Sequence, residues 1–188
     1  MHPFRRIQYN SPVVLDFALL SLLALLLGVL TGGWTTAKLF CVYRSSLRDL
    51  LTYPRFFLHV LGHAGWAHYS GNILLMLVIG PQLEERYGSR CLLECIALTA
   101  FVTGLIQFIF FPHTALMGAS GIVFMMILMA SMGGGRSGRI PLTLLLVAAF
   151  YVGGEIITAF TSADNVSQLT HVIGGLCGAG LGFLLQKK

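Results

Sequence analysis

Long apolar runs separated by short polar punctuation dominate this chain. Read for length, they predict six helices, at about 12–30, 63–83, 91–111, 116–132, 141–160 and 167–185. Most approach the roughly 20 residues needed to cross a bilayer core. The first and third runs are plainly apolar. The second begins with polar residues, the fourth is short, and the fifth and sixth carry glycines and some polar or ionisable side chains. Gly80, Pro81 and Gly88 are expected to bracket the turn after the second run, and Gly133, Gly134 and Gly135 the turn after the fourth. Residues 31–62 form one long connection in which Trp34, Phe40, Tyr43, Tyr53, Phe56 and Phe57 sit among charges, the pattern of an interfacial segment. The expected fold is all-α: one six-span membrane domain over residues 1–188, with a short central fourth span and an interfacial first outer loop.

Composition agrees with the pattern. Hydrophobic residues make up 56% of the chain, charged residues only 10%, and mean hydropathy is +0.81. Soluble domains carry about 25% charged residues, so a water-soluble enzyme is excluded. The net charge of +5 does not point to nucleic acid, because the basic residues are scattered between apolar runs. They orient the chain instead. With the N-terminus inside, Arg5, Arg6, Arg86, Arg90, Arg136, Arg139, Lys187 and Lys188 fall on the cytoplasmic side. Lys38, Arg44, Arg48 and Arg55 fall outside, all within the first outer loop. Both termini are therefore expected in the cytoplasm. Arg5 and Arg6 precede an apolar run as in a signal peptide, but no A-x-A-like cleavage site follows, so a retained span is expected. Cys41, Cys91, Cys95 and Cys177 show neither CxxC nor zinc spacing, and no disulfide is read from them.

Polar groups at membrane depth are expensive and tend to mark function. Three clusters qualify: His59, His63, His68 and Asn72 at the start of the second run, Ser120 within Gly118–Gly121, and His171 in the sixth. A serine hydroxyl needs a neighbouring base. His171 is followed by Gly174, Gly178 and Gly182, a small face on which two helices can approach closely. From Ser120 to the end of the fourth run the helix spans only about 20 Å, which places the serine inside the membrane plane at a helix N-terminus. Free N–H groups there favour a developing oxyanion. The loop 112–119 must then dip into the protein, where only protein or a water-filled cavity tolerates it. His68 and Asn72, one turn apart, are suitable oxyanion donors. Each feature alone has a plainer reading as helix packing or interhelical hydrogen bonding.

Together these residues resemble the rhomboid family of intramembrane serine proteases, in its bacterial-type six-helix form. The family's His-x-x-x-Asn stands at His68 and Asn72, its GxSG at Gly118–Gly121, and its His-x-x-Gly-x-x-x-Gly at His171, Gly174 and Gly178. Arg55, His59, His63, Glu84 and Gly88 match as well, so the resemblance covers roughly residues 53–188. It implies Ser120 as nucleophile, His171 as general base, and His68, Asn72 and the Ser120 N–H as the oxyanion hole. Arg55, His59, His63, Glu84, Gly118, Gly121, Phe124, Gly174 and Gly178 would support the site, His59 and His63 by structure or hydration. It also implies transmembrane protein substrates, no cofactor, and a bacterial cell membrane location. Oligomeric state is not legible. Two positions depart from the pattern: Phe124 stands where a tyrosine often stacks on the histidine, and Thr170 replaces a small residue.

Several rivals are weaker. A metal enzyme would use the spacing of His59 and His63, but HExxH is absent and no carboxylate lies among these histidines. Glu84, Glu85 and Arg86 read as a solvated cytoplasmic turn, not a glutamate protease. Glu155 reads as an outer-end carboxylate reaching water, with a lateral gate as the functional alternative. No paired internal repeat suggests a transporter. Trimming of C-terminal anchors in the manner of rhombosortases, or non-catalytic binding of membrane clients, remains as an alternative function.

Overall fold

The computed structural model describes residues 8–132, the helical positions 142–143, 145–146 and 149–150, and residues 165–185. Most of the fifth run, the turn at Gly133, Gly134 and Gly135, Glu155, and Arg5, Arg6, Arg136, Arg139, Lys187 and Lys188 lie outside the described residues.

Helix α1 (Pro12–Leu30) starts with proline in its first turn, where a missing N–H costs nothing. Gly32 and Gly33, with φ of 60° and 88°, turn the chain back into α2 (Trp34–Leu39). A side chain at Gly28 would collide with the Thr36 hydroxyl, so α2 folds directly onto α1. A two-residue strand β1 (Val42–Tyr43) follows, then α3 (Thr52–Leu58) and a 3₁₀ turn (His59–Leu61).

The two long hairpin helices are α4 (Trp66–Tyr87) and α5 (Ser89–Phe110), with only Gly88 between them. Its φ of 84° suits glycine. Strand β2 (Ala115–Leu116) pairs antiparallel with β1, Val42 opposite Leu116 and Tyr43 opposite Ala115. Helices α6 (Ser120–Ser131) and α7 (Asn165–Leu185) complete the bundle.

The first, third and sixth expected spans coincide with α1, α5 and α7 to within two residues. Among the described residues, α1 and α5 are long and apolar enough to cross a membrane. The second and fourth spans differ from expectation in instructive ways. Helix α4 begins three residues later, after the extended Gly65, and runs on through Gly80 and Pro81. Tertiary contact holds that inner end. Gly80 packs so closely on Val14 that a Cβ would lie 2.6 Å from its Cγ2. Glu84 accepts from the amides of Val13 (3.0 Å) and Val14 (3.2 Å) and from the Ser89 hydroxyl (2.7 Å). A carboxylate at a helix N-terminus satisfies its orphan donors and its dipole together. Glu84 is therefore a buried clamp, 5% exposed, and not part of a solvated turn.

The connection between α1 and α4 is a small folded unit. Arg55, 2% exposed, organises it: Nε donates to the Lys38 carbonyl (2.8 Å), Nη1 pairs with Asp49 (3.0 Å), and the guanidinium lies 4.7 Å from the Tyr43 ring centroid. The Leu51 amide and Arg55 hold the Asp49 carboxyl below its ordinary pKa. Arg44 donates to the carbonyls of Phe108 and Ile109, both at 2.6 Å, and so caps the C-terminus of α5.

Helix α6 lies at the centre, with Ile122, Met125, Met126 and Met129 fully buried among α4, α5 and α7. Large apolar residues such as Leu23 and Leu30 of α1, Leu74 and Val78 of α4, and Phe110 of α5 point outward. Polar residues including Thr99, Thr103 and Gln107 are buried. An apolar exterior around buried polar groups suits lipid as the surrounding solvent.

Candidate active site

The fourth helix is shorter than the apolar run predicts. Residues 116–119 belong to β2 and to the loop that follows, so Ser120 is the first residue of a 12-residue helix about 18 Å long. The strand pairing draws the loop inward, because Leu116 must reach Val42. The Gly118 amide then donates to the His59 carbonyl at 2.9 Å, and Gln107 donates to both the carbonyl (3.1 Å) and the hydroxyl (3.0 Å) of Thr114. Gly118 and Ala119 are buried and Ser120 half-buried.

Gly118 adopts φ 125°, a region that disfavours side chains. Space forbids one as well: an added Cβ would sit 2.8 Å from Cε1 and Nε2 of His68 and 3.9 Å from Nδ2 of Asn72. Both residues of the His-x-x-x-Asn pair thus face the backbone two residues before Ser120. The Asn72 Nδ2 is buried and has no hydrogen-bond partner among the described residues.

His171 arrives from α7. A side chain at Gly174 would lie 2.8 Å from Gly121 Cα, and one at Gly178 2.7 Å from Met125 Cα, so α6 and α7 touch backbone to backbone at both positions. Thr170 fills the space beside Gly121, its Cγ2 3.3 Å from where a Cβ would stand. Phe124, one turn beyond Ser120, stacks on the His171 ring with centroids 4.4 Å apart and planes 5° from parallel. The imidazole therefore lies alongside the first turn of α6, at the serine end.

His59 and His63 sit near each other in sequence but serve different neighbours. His59 is buried, with Nε2 3.0 Å from the Ala100 carbonyl. His63 places Nδ1 3.1 Å from the Leu61 carbonyl and meets His68 edge to face at 5.0 Å. Among the described residues, no group of three or more His, Cys, Asp or Glu side chains is disposed to hold a metal. Arg55 and Glu84 lie in the connection before α4 and near its C-terminus, where they hold the frame, away from Ser120 and His171.

Sequence reasoning passed over Gln107, Arg44 and Tyr69. Gln107 pins the loop before Ser120, Arg44 caps α5 above it, and Tyr69 donates to the Ala18 carbonyl at 3.1 Å, tying α4 to α1. A lone glutamine deep in the third apolar run was the available signal. A largely apolar cavity of about 410 Å³ lies between α1, α2 and the 63–65 turn, lined by Leu25, Gly28, Thr36, Cys41, His63 and Met117. It ends one residue short of Gly118.

The arrangement brings together a serine at a helix N-terminus, an imidazole stacked one turn further along that helix, and the His68 and Asn72 side chains against the backbone just before the serine. Comparison with known proteins identifies the family. The family model described as the Rhomboid domain matches residues 51–188. Rhomboid-related protein 2 of Mus musculus is 32% identical over 148 residues, covering 69% of this chain and 47% of that protein. Rhomboid-related protein 1 of Caenorhabditis elegans is 27% identical over 140 residues, covering 70% of this chain and 39% of that protein. The chain thus spans less than half the length of these two relatives, and neither bears on the bacterial-type subclass.

Proposed function

The chain belongs to the rhomboid family, and from that premise we propose that it is a serine endopeptidase hydrolysing transmembrane segments of other membrane proteins. It is a mostly helical integral membrane protein. In this reading it crosses the membrane six times with both termini in the cytoplasm. The observation that carries the proposal is convergence on one helical turn. His171 stacks on Phe124, four residues after Ser120, while His68 and Asn72 face Gly118, two residues before it.

The mechanism follows from those positions. His171 takes the Ser120 hydroxyl proton as Oγ attacks the scissile carbonyl, giving a tetrahedral oxyanion. That charge is met by the Ser120 amide, the His68 Nε2–H and the Asn72 Nδ2–H. The imidazolium returns its proton to the departing amine, leaving an acyl-serine. Water, deprotonated by the same imidazole, then releases the carboxylate and restores the hydroxyl. No acidic third residue is required to define this dyad, because stacking on Phe124 orients the ring.

Covalent labelling by a fluorophosphonate tests the proposal directly. The wild-type protein in detergent is expected to label, and Ser120→Ala and His171→Asn to lose both labelling and cleavage of a helical membrane substrate. A wild type that neither labels nor cleaves sinks the catalytic reading and favours non-catalytic binding of membrane clients. If it labels but cleaves only C-terminal anchors, the narrower sorting role replaces the general one.

A further inference from the structure

We infer that the backbone amide of Ala64 is a positioning group, fixing the His68 imidazole as its Nε2–H tautomer so that a donor faces the reacting carbonyl. The inference rests on the proposed serine hydrolysis and adds to it the origin of His68's donor. The two edges of the His68 ring meet different neighbours. Nδ1 lies 3.4 Å from the Ala64 amide nitrogen, which has one proton to give and accepts nothing. Nδ1 must therefore accept, and in a neutral ring the proton then sits on Nε2. The edge formed by Cε1 and Nε2 faces the Gly118 backbone, on the approach to Ser120.

The local chain explains why this amide is available. Ala64 lies in the turn between the 3₁₀ segment and α4, ahead of the extended Gly65, so helix hydrogen bonding does not consume its N–H. His63 narrows the ring's freedom further. Its edge-to-face contact with His68 is held by its own Nδ1 against the Leu61 carbonyl and by a second edge contact with Tyr69 at 5.6 Å. Rotating His68 by 180° about its ring axis would turn a carbon toward Ala64 and lose the acceptor there, while merely exchanging Cε1 and Nε2 on the edge that faces Gly118. An Nδ1–H ring would set two protons against each other.

Nitrogen-15 NMR of the histidine-labelled full chain in nanodiscs reads the tautomer without turnover, with His68→Asn identifying the signal. A neutral Nε2–H pattern is expected; an Nδ1–H pattern, or an averaged one, overturns the inference. A backbone ester at position 64 deletes only the N–H. It is expected to average the His68 pattern and to lower kcat roughly 2- to 10-fold at constant KM. In a His68→Gln background, whose amide donor has no tautomer, the same ester should leave kcat unchanged. Equal losses in both backgrounds overturn the inference by marking the amide as merely structural. Loss of fluorophosphonate labelling bears on the protease reading instead, because the resting tautomer needs no catalysis.

Discussion

Glu84 and Asn72, toward opposite ends of α4, bury their polar atoms in opposite ways. At its C-terminal end both oxygens of Glu84 are engaged, on two helix amides and a hydroxyl, although the nearby Tyr87 hydroxyl is buried without a partner among the described residues. Toward its N-terminal end Asn72 buries an amide nitrogen with no partner among the described residues, and His63, three residues before the helix, likewise leaves Nε2 unpaired. Among the described residues, four of the seven buried side-chain atoms without partners belong to His59, His63, Asn72 and Gln107, all around the loop leading to Ser120. A buried donor or acceptor left unpaired costs about 1–3 kcal/mol. Satisfied groups hold a fold together, whereas a concentration of unsatisfied ones leaves donors and acceptors that a water or a ligand's atoms would complete.

That contrast can be broken by removing one member from each end. Asn72→Ala is expected to lower kcat by about 10²–10³-fold, the usual loss for an oxyanion donor. Its thermal stability should stay level or rise, since an orphaned donor disappears with it. Steady-state cleavage and thermal unfolding of the same sample decide the matter. A destabilised Asn72→Ala with normal kcat would make the residue a packing element. Glu84→Gln should show the mirror image. Its amide would turn a donor toward Val13, Val14 or Ser89, costing about 2–4 kcal/mol through lost charge-assisted bonds. Where the variant remains folded, kcat should be close to wild type. A selective fall in kcat there would join the two ends that the comparison separates.

The outer loop offers a smaller test by pH. Asp49 has its carboxyl pKa depressed in the folded protein, first by the Leu51 amide and then by Arg55. A depressed acid contributes stability that is present above its unfolded pKa of about 3.9 and lost as pH falls through the folded value. Unfolding temperature should therefore drop below about pH 4, and Asp49→Asn should flatten that part of the profile. An unchanged acid limb in the variant would place the loop's acid sensitivity elsewhere. Since Asp49 is exposed, the effect is expected to be modest.

Much of this organisation was legible in the residues, and the gaps have physical causes. Apolar length located α1, α5 and α7 because those helices are long and little interrupted. The glycines at 174 and 178 foretold the close approach of α7, since only packing against another backbone rewards them. Helix α4 was misjudged at its inner end because Gly80 and Pro81 carry local turn signals. The Val14 contact and the Glu84 clamp, both more than 60 residues away in sequence, override them. The start of α6 depends on a strand pair between residues 42 and 116, which apolar periodicity cannot register. Ala64 was invisible for a different reason: its contribution is a backbone amide, which every residue except proline supplies.

Phe124 gives the finest discrimination between support and chemistry at the serine end. Its ring lies nearly parallel to His171 at 4.4 Å, so the contact restrains imidazole tilt through dispersion and π overlap alone. Where the family pattern often places tyrosine, this chain lacks a hydroxyl that could add a directional bond. Phe124→Tyr is expected to raise kcat by no more than about threefold at unchanged KM, the scale of a net hydrogen bond of about 0.5 kcal/mol. Phe124→Leu keeps apolar volume but removes the flat face, and should lower kcat by about fivefold, matching a stacking contribution near 1 kcal/mol. If leucine were as active as phenylalanine, ring orientation would have to come from the backbone contact of α6 with α7, and the stacked pair would join Glu84 among the groups that only hold the frame.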